Sequence, residues 1–362
     1  MPWLAAAPAV MLQSFVHCLS LPSPARRFPV LSTGCSRITA LGAAIGAIAL
    51  ALSMPATAQR ATDAYPVKSL RLLHGFTSGG AVDLQARLIA QQLSQALGQQ
   101  VLVDGRPGAG GTIGAAIVAR SAPDGYTLFL MASGHAAAPG LYRSLPYDAA
   151  RDFTLISMVG SSPFVVLASP NAPVKTIQDL IARAKAEPGR INYGTGGVGS
   201  GMHLAAVLFQ ARSGTQMNHV PYKGGTAGPA ALLAGEIPVL FTTPGGSTQF
   251  IKDGRLRAIA VTTQQRFSLW PDVPTMAETV LPGFDVQAWY ALAGPRNLPV
   301  SIVTRLNGIV REALARTEVR EPMLALGAEP RPSTAAEAQA FVVSEVTRWT
   351  KIVRAEGIPP QD

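Results

Sequence analysis

The run INYGTGGVGSGMHLAAVLF, residues 191–209, decides how this chain is read. Gly194, Gly196 and Gly199 spell G-x-G-x-x-G between a short apolar stretch and a helical one, the outline of a dinucleotide fingerprint. That fingerprint also needs an acidic side chain about 20 residues on, to take the ribose hydroxyls. The corresponding stretch, GTQMNHVPYKGG, holds no Asp or Glu. No G-K-[ST] follows any glycine turn, which removes a P-loop as well. What remains is the physics those motifs share. A glycine turn opening a helix leaves backbone N–H groups without intrahelical partners, backed by the positive end of the helix dipole, and so offers an anion site.

The chain makes this transition twice. GFTSGGAVD repeats it, with the Thr77 and Ser78 hydroxyls beside Gly79 and Gly80 and with Asp83 expected in the first helical turn, where its charge suits the dipole. Two such N-termini, one in each half of the chain, are placed to grip a single anion from opposite sides.

Outward from these turns, short apolar runs alternate with helical ones. LRLLHGF reads as a strand and AVDLQARLIAQQLSQAL as a helix with Leu84, Leu88, Ile89 and Leu93 on one stripe; QQVLVDG, YTLFLMA, RINYGTG, IPVLFTT and LRAIAVTT read as further strands. The pattern predicts an α/β protein built of βαβ units on parallel sheets. Its two sets of units predict two α/β lobes with a ligand cleft between them, residues 65–164 plus 289–362 forming the first and 165–288 the second. The crossings are expected near Ser162–Val165 and Gln287–Leu292.

Residues 1–58 are read as a leader. Arg37, the apolar core Ile38–Leu52 and the small-x-small ending Ala56-Thr57-Ala58 follow the grammar of a secretory signal, with cleavage expected near Ala58. The apolar core is shorter than the roughly 20 residues of a spanning helix. The stretch before Arg37 is long, which points to a start later than Met1 or to twin-arginine export through Arg26 and Arg27. Both cysteines, Cys18 and Cys35, lie in this leader, so the exported chain is expected to lack disulfides, thiolate metal sites and a cysteine nucleophile. Loss of the leader's three arginines lowers the formal net charge from +9 to +6. The remaining cations form no dense run, which argues against a nucleic-acid partner.

Catalytic patterns are missing from the sequence. Ser200 in GVGSG does not sit in G-x-S-x-G, and His74, His135, His203 and His219 show no metal-ligand spacing. Each histidine is expected to hydrogen-bond or to fill space. Neither cofactor nor metal is expected, and an enzyme acting on a small organic acid in the periplasm is the alternative to a binding protein.

YPVKSLRLLHGFTSGGAVDLQARLIAQQL, RPGAGGTIGA, APDGYTL, HVPYKGG, LRAIAVT, PDVPTMAE and GAEP occur in that order. Together they resemble the Bug family of extracytoplasmic solute receptors, the TctC-type binding proteins of tripartite tricarboxylate transporters, across Tyr65 to Ile358. The resemblance implies a type II periplasmic-binding-protein fold that closes like a Venus flytrap on a small carboxylate. It implies a periplasmic location, a monomer, and the membrane subunits of such a transporter or a sensor as partners. Carried over by position, the ligand-binding residues are Phe76, Thr77, Ser78, Gly79, Gly80 and Asp83 in the first loop, and Ser133, Gly134 and His135 after the third strand. In the second lobe they are Thr195, Gly196, Gly197, Gly199, Ser200 and His203, completed by Thr243 and by Trp289 on the crossing strand. Lys223 is read as lying beyond this cradle. Relatives commonly carry F-P-P-G-G where this chain has Phe76-Thr77-Ser78-Gly79-Gly80, and an acid or amide where it has Thr242, Thr243 and Pro244. The second departure removes a partner for a ligand ammonium and shifts the expectation toward plain carboxylates.

Overall fold

The computed structural model describes residues 65–223 and 227–355, with Gly357, Ile358 and Pro360. The expected leader, its cysteines and its cleavage point near Ala58 lie outside the described residues, as do Gly224 and Gly225.

Strand β1 (Leu70–His74) is buried at every position except Arg71, as suits a parallel strand covered on both faces. It lies between β2 (Val101–Gly105) and β3 (Thr127–Ala132), parallel to both. Helix α1 (Ala81–Leu97) buries Val82, Ala86, Ile89, Leu93 and Leu97, one face at i, i+3/i+4 spacing. Leu84 and Leu88, expected on the buried stripe, flank it half-buried. Gly98 ends the helix in the left-handed region, φ 66°.

The first sheet is completed by β4 (Phe153–Pro163), β10 (Gln287–Pro295) and β11 (Glu329–Pro330), in the order β11-β4-β10-β3-β1-β2. The second holds β5 (Val165–Ala168), β6 (Asn192–Thr195), β7 (Asn218–Pro221), β8 (Val239–Thr242) and β9 (Arg257–Val261), in the order β7-β6-β8-β5-β9. β6 runs parallel to β7 and β8, as βαβ units require. The strands at the crossings depart from the all-parallel expectation. β10 is antiparallel to β3 and β4, and β5 to β8 and β9. The reason is topological: β4 carries the chain out of the first sheet and β10 brings it back, so these neighbours must run in opposite directions.

The two crossing segments are tied together by one threonine. Thr262 Oγ1 donates to the Val286 carbonyl at 2.6 Å and accepts the Phe164 N–H at 3.0 Å. Its backbone also bonds both segments, Thr262 N–H to Phe164 O and Val286 N–H to Thr262 O, each at 3.0 Å.

The C-terminal helix α11 (Ala335–Ala355) packs on β4 of the first sheet. Glu345, buried on it, accepts the indole N–H groups of Trp289 (3.3 Å) and Trp349 (3.2 Å) through one oxygen, and Arg348 reaches the other at 3.0 Å. Among the described residues no helix is long and apolar enough to cross a membrane. Glu345→Ala leaves two buried indole donors unpaired, each costing about 1–3 kcal/mol. Urea titration is expected to show a loss of about 2–6 kcal/mol, with Glu345→Gln, which keeps an acceptor, losing less; equal losses in the two variants would disprove the dependence on that acceptor.

Candidate functional site

Three helices point their N-termini at one place. α1 contributes Gly80, Ala81 and Val82; α3 (Gly134–Leu141) contributes Gly134, with Ser133 before it; α5 (Gly201–Ser213) contributes Gly201 and Met202, with Ser200 as its cap. They surround a cavity of about 30 Å³, walled by Phe76, Phe164 and Tyr290 and closed by Ala288 and Thr243. That volume admits roughly two water-sized groups. The first-turn N–H groups of each helix have no intrahelical acceptor. No charged side chain lines the cavity, so the field there comes from three dipole ends, each roughly half a positive charge.

Both glycine loops are held by hydrogen bonds behind this cavity. In the first, Asp83 accepts Gly79 N–H at 2.9 Å and Arg87 Nε at 2.8 Å on one oxygen, and His74 Nε2 at 3.1 Å on the other. Burial pushes the Asp83 carboxyl up, but the bonds from Arg87 and Gly79 outweigh it and hold the group below the usual carboxylate range. Burial dominates at His74 and lowers its pKa despite Asp83. The contact is therefore a hydrogen bond from a neutral imidazole, and the same ring's Nδ1 accepts Phe76 N–H at 3.4 Å.

In the second loop Thr195 Oγ1 accepts Gly197 N–H at 3.1 Å and lies 2.7 Å from His219 Nε2. Gly199 N–H reaches His203 Nδ1 at 3.4 Å, and Ser200 N–H bonds Gly197 O at 3.2 Å. The His203 and His219 rings stack at 4.3 Å. Burial lowers both pKa values to about 4, and at His203 the neighbouring imidazole adds to the effect. Three N–H groups of this loop are thus spent internally. The residues of this segment that line the small cavity are Ser200, Gly201 and Met202, beyond the glycine pattern itself.

A second and larger chamber, of about 460 Å³, lies between the 75–77 and 107–110 loops on one side and 196–198 and 221–223 on the other. Phe76 lines both spaces. Lys223 lines the chamber beside Gly197, which corrects its placement beyond the cradle. The sequence gives no warning of this, because Lys223 and Gly197 are joined only by the parallel pairing of β6 with β7.

Of the residues expected to bind ligand, the structure brings Phe76, Gly80, Ser133, Gly134, Ser200 and Thr243 to the small cavity, and Thr77, Gly196 and Gly197 to the chamber. Ser78 and Gly79 lie exposed outside both, while Asp83, Thr195 and His203 are buried in the supporting networks. Gly199 sits in the wall between the two spaces, against Gly110. Two placements are corrected. The His135 ring is buried among Phe129, Tyr147 and Phe153 with Nε2 on the Ala149 carbonyl at 2.9 Å, and burial lowers its pKa to about 4. Trp289 is wholly buried on the α11 side of β10, and its neighbours Ala288 and Tyr290 face the cavity, because alternate residues of a strand point to opposite faces. Sequence reasoning also missed Phe164, Met202 and Gly110; the first two show only as members of apolar runs. Among the described residues no group of three His, Cys, Asp or Glu side chains is set to hold a metal ion.

The model of the tripartite tricarboxylate transporter family receptor, TctC, matches residues 85–358. The chain belongs to the TctC family. This TctC chain is 38% identical to protein BugT of Bordetella pertussis over 299 residues, 82% of this chain and 91% of BugT. The solved structure of R. palustris Rpa4515 with adipate is 34% identical, with TM-score 0.78, and the match covers 82% of this chain and 100% of that one. MatC from Rhodopseudomonas palustris with bound malate is 32% identical, with TM-score 0.75, covering 80% and 100%. The fold is the two-lobed type II periplasmic-binding-protein fold, and the TctC family is one of solute-binding receptors.

The stacked imidazoles make the stability of this chain pH-dependent. The unfolded chain takes up protons near pH 6.5 that His203 and His219 refuse until about pH 4, so stability falls as pH drops through that window. Each group contributes a slope of at most about 1.4 kcal/mol per pH unit. Urea midpoints from pH 7 to 4.5 are expected to fall less steeply in His203→Gln than in the parent; an unchanged slope would mean that the ring titrates alike in the folded and unfolded chains.

Proposed function

We propose that this protein is exported to the periplasm, its leader cleaved near Ala58, and there captures a small carboxylate between its two lobes. It then delivers that ligand to the membrane subunits of a tripartite tricarboxylate transporter or to a sensor. The observation that carries the proposal is the convergence of three helix N-termini on a cavity of about 30 Å³ with no charged side chain. Two oxygens of one carboxylate fit that volume, and dipole ends favour their charge. The adipate of Rpa4515 and the malate of MatC support the ligand class.

The lobe limits 65–164 with 289–362 and 165–288 belong to this proposal, and the pairing of Gln287 with Pro163 supports a second-lobe end two residues earlier. The binding set narrows to Phe76, Gly80, Ser133, Gly134, Ser200 and Thr243 around the carboxylate, with Thr77, Gly196 and Gly197 along the chamber. Lys223 belongs to the chamber lining, and a lysine there supports a reading of dicarboxylates over monocarboxylates.

A thermal-shift screen of aliphatic acids and nucleotides tests the class: dicarboxylates are expected to raise the melting temperature, and stabilisation by nucleotides alone would refute it. The role of the helix ends is tested by Ala81→Pro. Ala81 is the first residue of α1, and Gly80 before it is extended, φ −81° and ψ 170°, so proline is tolerated while one N–H is removed. Calorimetry is expected to show at least tenfold weaker binding, about 1.4 kcal/mol, at an unchanged melting temperature. Full affinity in that variant would take the α1 N-terminus out of the site. Lys223→Ala is expected to weaken a dicarboxylate several-fold and to spare a monocarboxylate of the same length; equal effects on both would remove the second-acid role.

A further inference from the structure

The two lobes meet backbone to backbone along a seam of glycines. Gly110 and Gly134 come from the first lobe, Gly199 and Gly201 from the second. A methyl group on Gly110 would lie 2.7 Å from the Gly199 carbonyl oxygen, 2.8 Å from its carbon and 3.1 Å from its Cα. One on Gly134 would lie 2.8 Å from the same oxygen and 3.2 Å from Gly110 O. One on Gly201 would lie 2.5 Å from Ser133 Oγ. Gly201 would meet a side chain, but at Gly110 and Gly134 the contact is with backbone atoms, which rotating a side chain does not relieve, so there the lobes have to part. Bringing 2.7 Å out to an ordinary 3.4 Å contact needs about 0.7 Å of movement at the seam.

Gly134 and Gly201 also line the small cavity, so substituting them changes the cavity as well as the seam. Gly110 stands apart. It lies in the short 3-10 turn Ala109–Gly111, outside the small cavity and on the wall of the chamber. It has a twin elsewhere in the fold: Gly110 has φ 63° and ψ 14°, and Gly98 at the end of α1 has φ 66° and ψ 14°. A methyl group on Gly98 meets nothing within 4 Å. Alanine therefore pays the same left-handed penalty at both positions, and only at Gly110 does it also strike the opposite lobe.

We infer that Gly110 sets how far the cleft can close, and through closure how tightly it holds a ligand, although it offers that ligand no side chain. The link to affinity rests on the proposed capture between lobes; the link to closure does not.

Disulfide trapping separates the two. Thr77 Oγ1 lies 3.4 Å from the Lys223 carbonyl across the chamber. In the full-length chain with Cys18 and Cys35 changed to serine, Thr77→Cys and Lys223→Cys place one thiol on each lobe. Under mild oxidation the disulfide between positions 77 and 223 is expected to form at the parental rate with Gly98→Ala added, and at least tenfold more slowly with Gly110→Ala. Melting temperatures of the Gly98→Ala and Gly110→Ala chains are expected to agree, which controls for folding. Equal cross-linking rates in those two chains, or a parent that never cross-links, would overturn the inference about closure. Without the added thiols, calorimetry with adipate and with malate is expected to show tenfold weaker binding for Gly110→Ala and little change for Gly98→Ala. Slowed cross-linking together with unchanged affinity would break the link from closure to binding. Slowed cross-linking with no binding of either acid by the parent would leave the seam standing and count against the carboxylate reading alone.

Discussion

Backbone meets backbone across this cleft, and the geometry of the site follows from that contact. The carbonyl of Gly199 is close enough to Gly110 and Gly134 that a methyl group on either would sit within 3 Å of it. Such an approach brings the N-terminus of α5, from one lobe, against those of α1 and α3, from the other. Larger residues at the seam would hold the three helix ends apart, and a cavity of about 30 Å³ would become an open trough where water screens the dipoles. Small residues at the contact and an uncharged, dipole-lined cavity are therefore two sides of one arrangement.

The hinge end of the cleft is organised by topology. Since β4 leaves the first sheet where β10 enters it, the two crossing segments lie side by side, with Gln287 paired to Pro163. Thr262 bonds the backbone of both just beyond that pair. With the two sheets joined there, loops as distant in sequence as 107–110 and 196–198 face each other across one chamber. On the first sheet the buried Glu345, holding Trp289 of β10 and Trp349 of α11, ties the returning strand to the C-terminal helix.

Much of this was legible in the sequence, and the failures share a cause. The strand-turn-helix transitions at Gly75–Ala81 and Thr195–Gly201 could be read from glycines followed by a helical run; the first helix starts where expected, at Ala81, and the second one residue before the expected Met202. The missing acidic residue after the G-x-G-x-x-G pattern is likewise a local signal, read directly from the sequence. What the sequence hid was orientation. Trp289 stands out as a large residue on a crossing strand, yet the pleat turns it inward and gives Ala288 and Tyr290 to the cavity. His135 follows two cavity residues, but the α3 helix turns its ring into an aromatic cluster. Gly110 carries no chemical signal, because its part depends on what the other lobe brings to it. Local pattern reveals which turns open helices; it does not reveal which faces meet after a hinge has folded two lobes together.

On the proposed function, the supporting networks explain why the cavity needs no cation. A single carboxylate facing a lysine or arginine would gain a strong point attraction, and both charges would bear a desolvation cost on burial. Three helix ends spread a comparable charge over several N–H donors that are already ordered, so little is reorganised when an anion enters or leaves. The donors must then be held still by neutral groups, since a nearby charge would dominate so diffuse a field. His203 and His219 meet that need, stacked and kept neutral by burial behind the second loop. In the first loop the one buried charge, Asp83, faces Arg87 and His74 and gives its oxygens to Gly79 and to those side chains. With the negative charge of Asp83 matched by Arg87, the dipole ends remain the main source of field at the cavity. The larger chamber differs from the small cavity in charge and shape, being lined by Lys223, Tyr222 and Phe76, and on the proposed function discrimination among ligands falls to it.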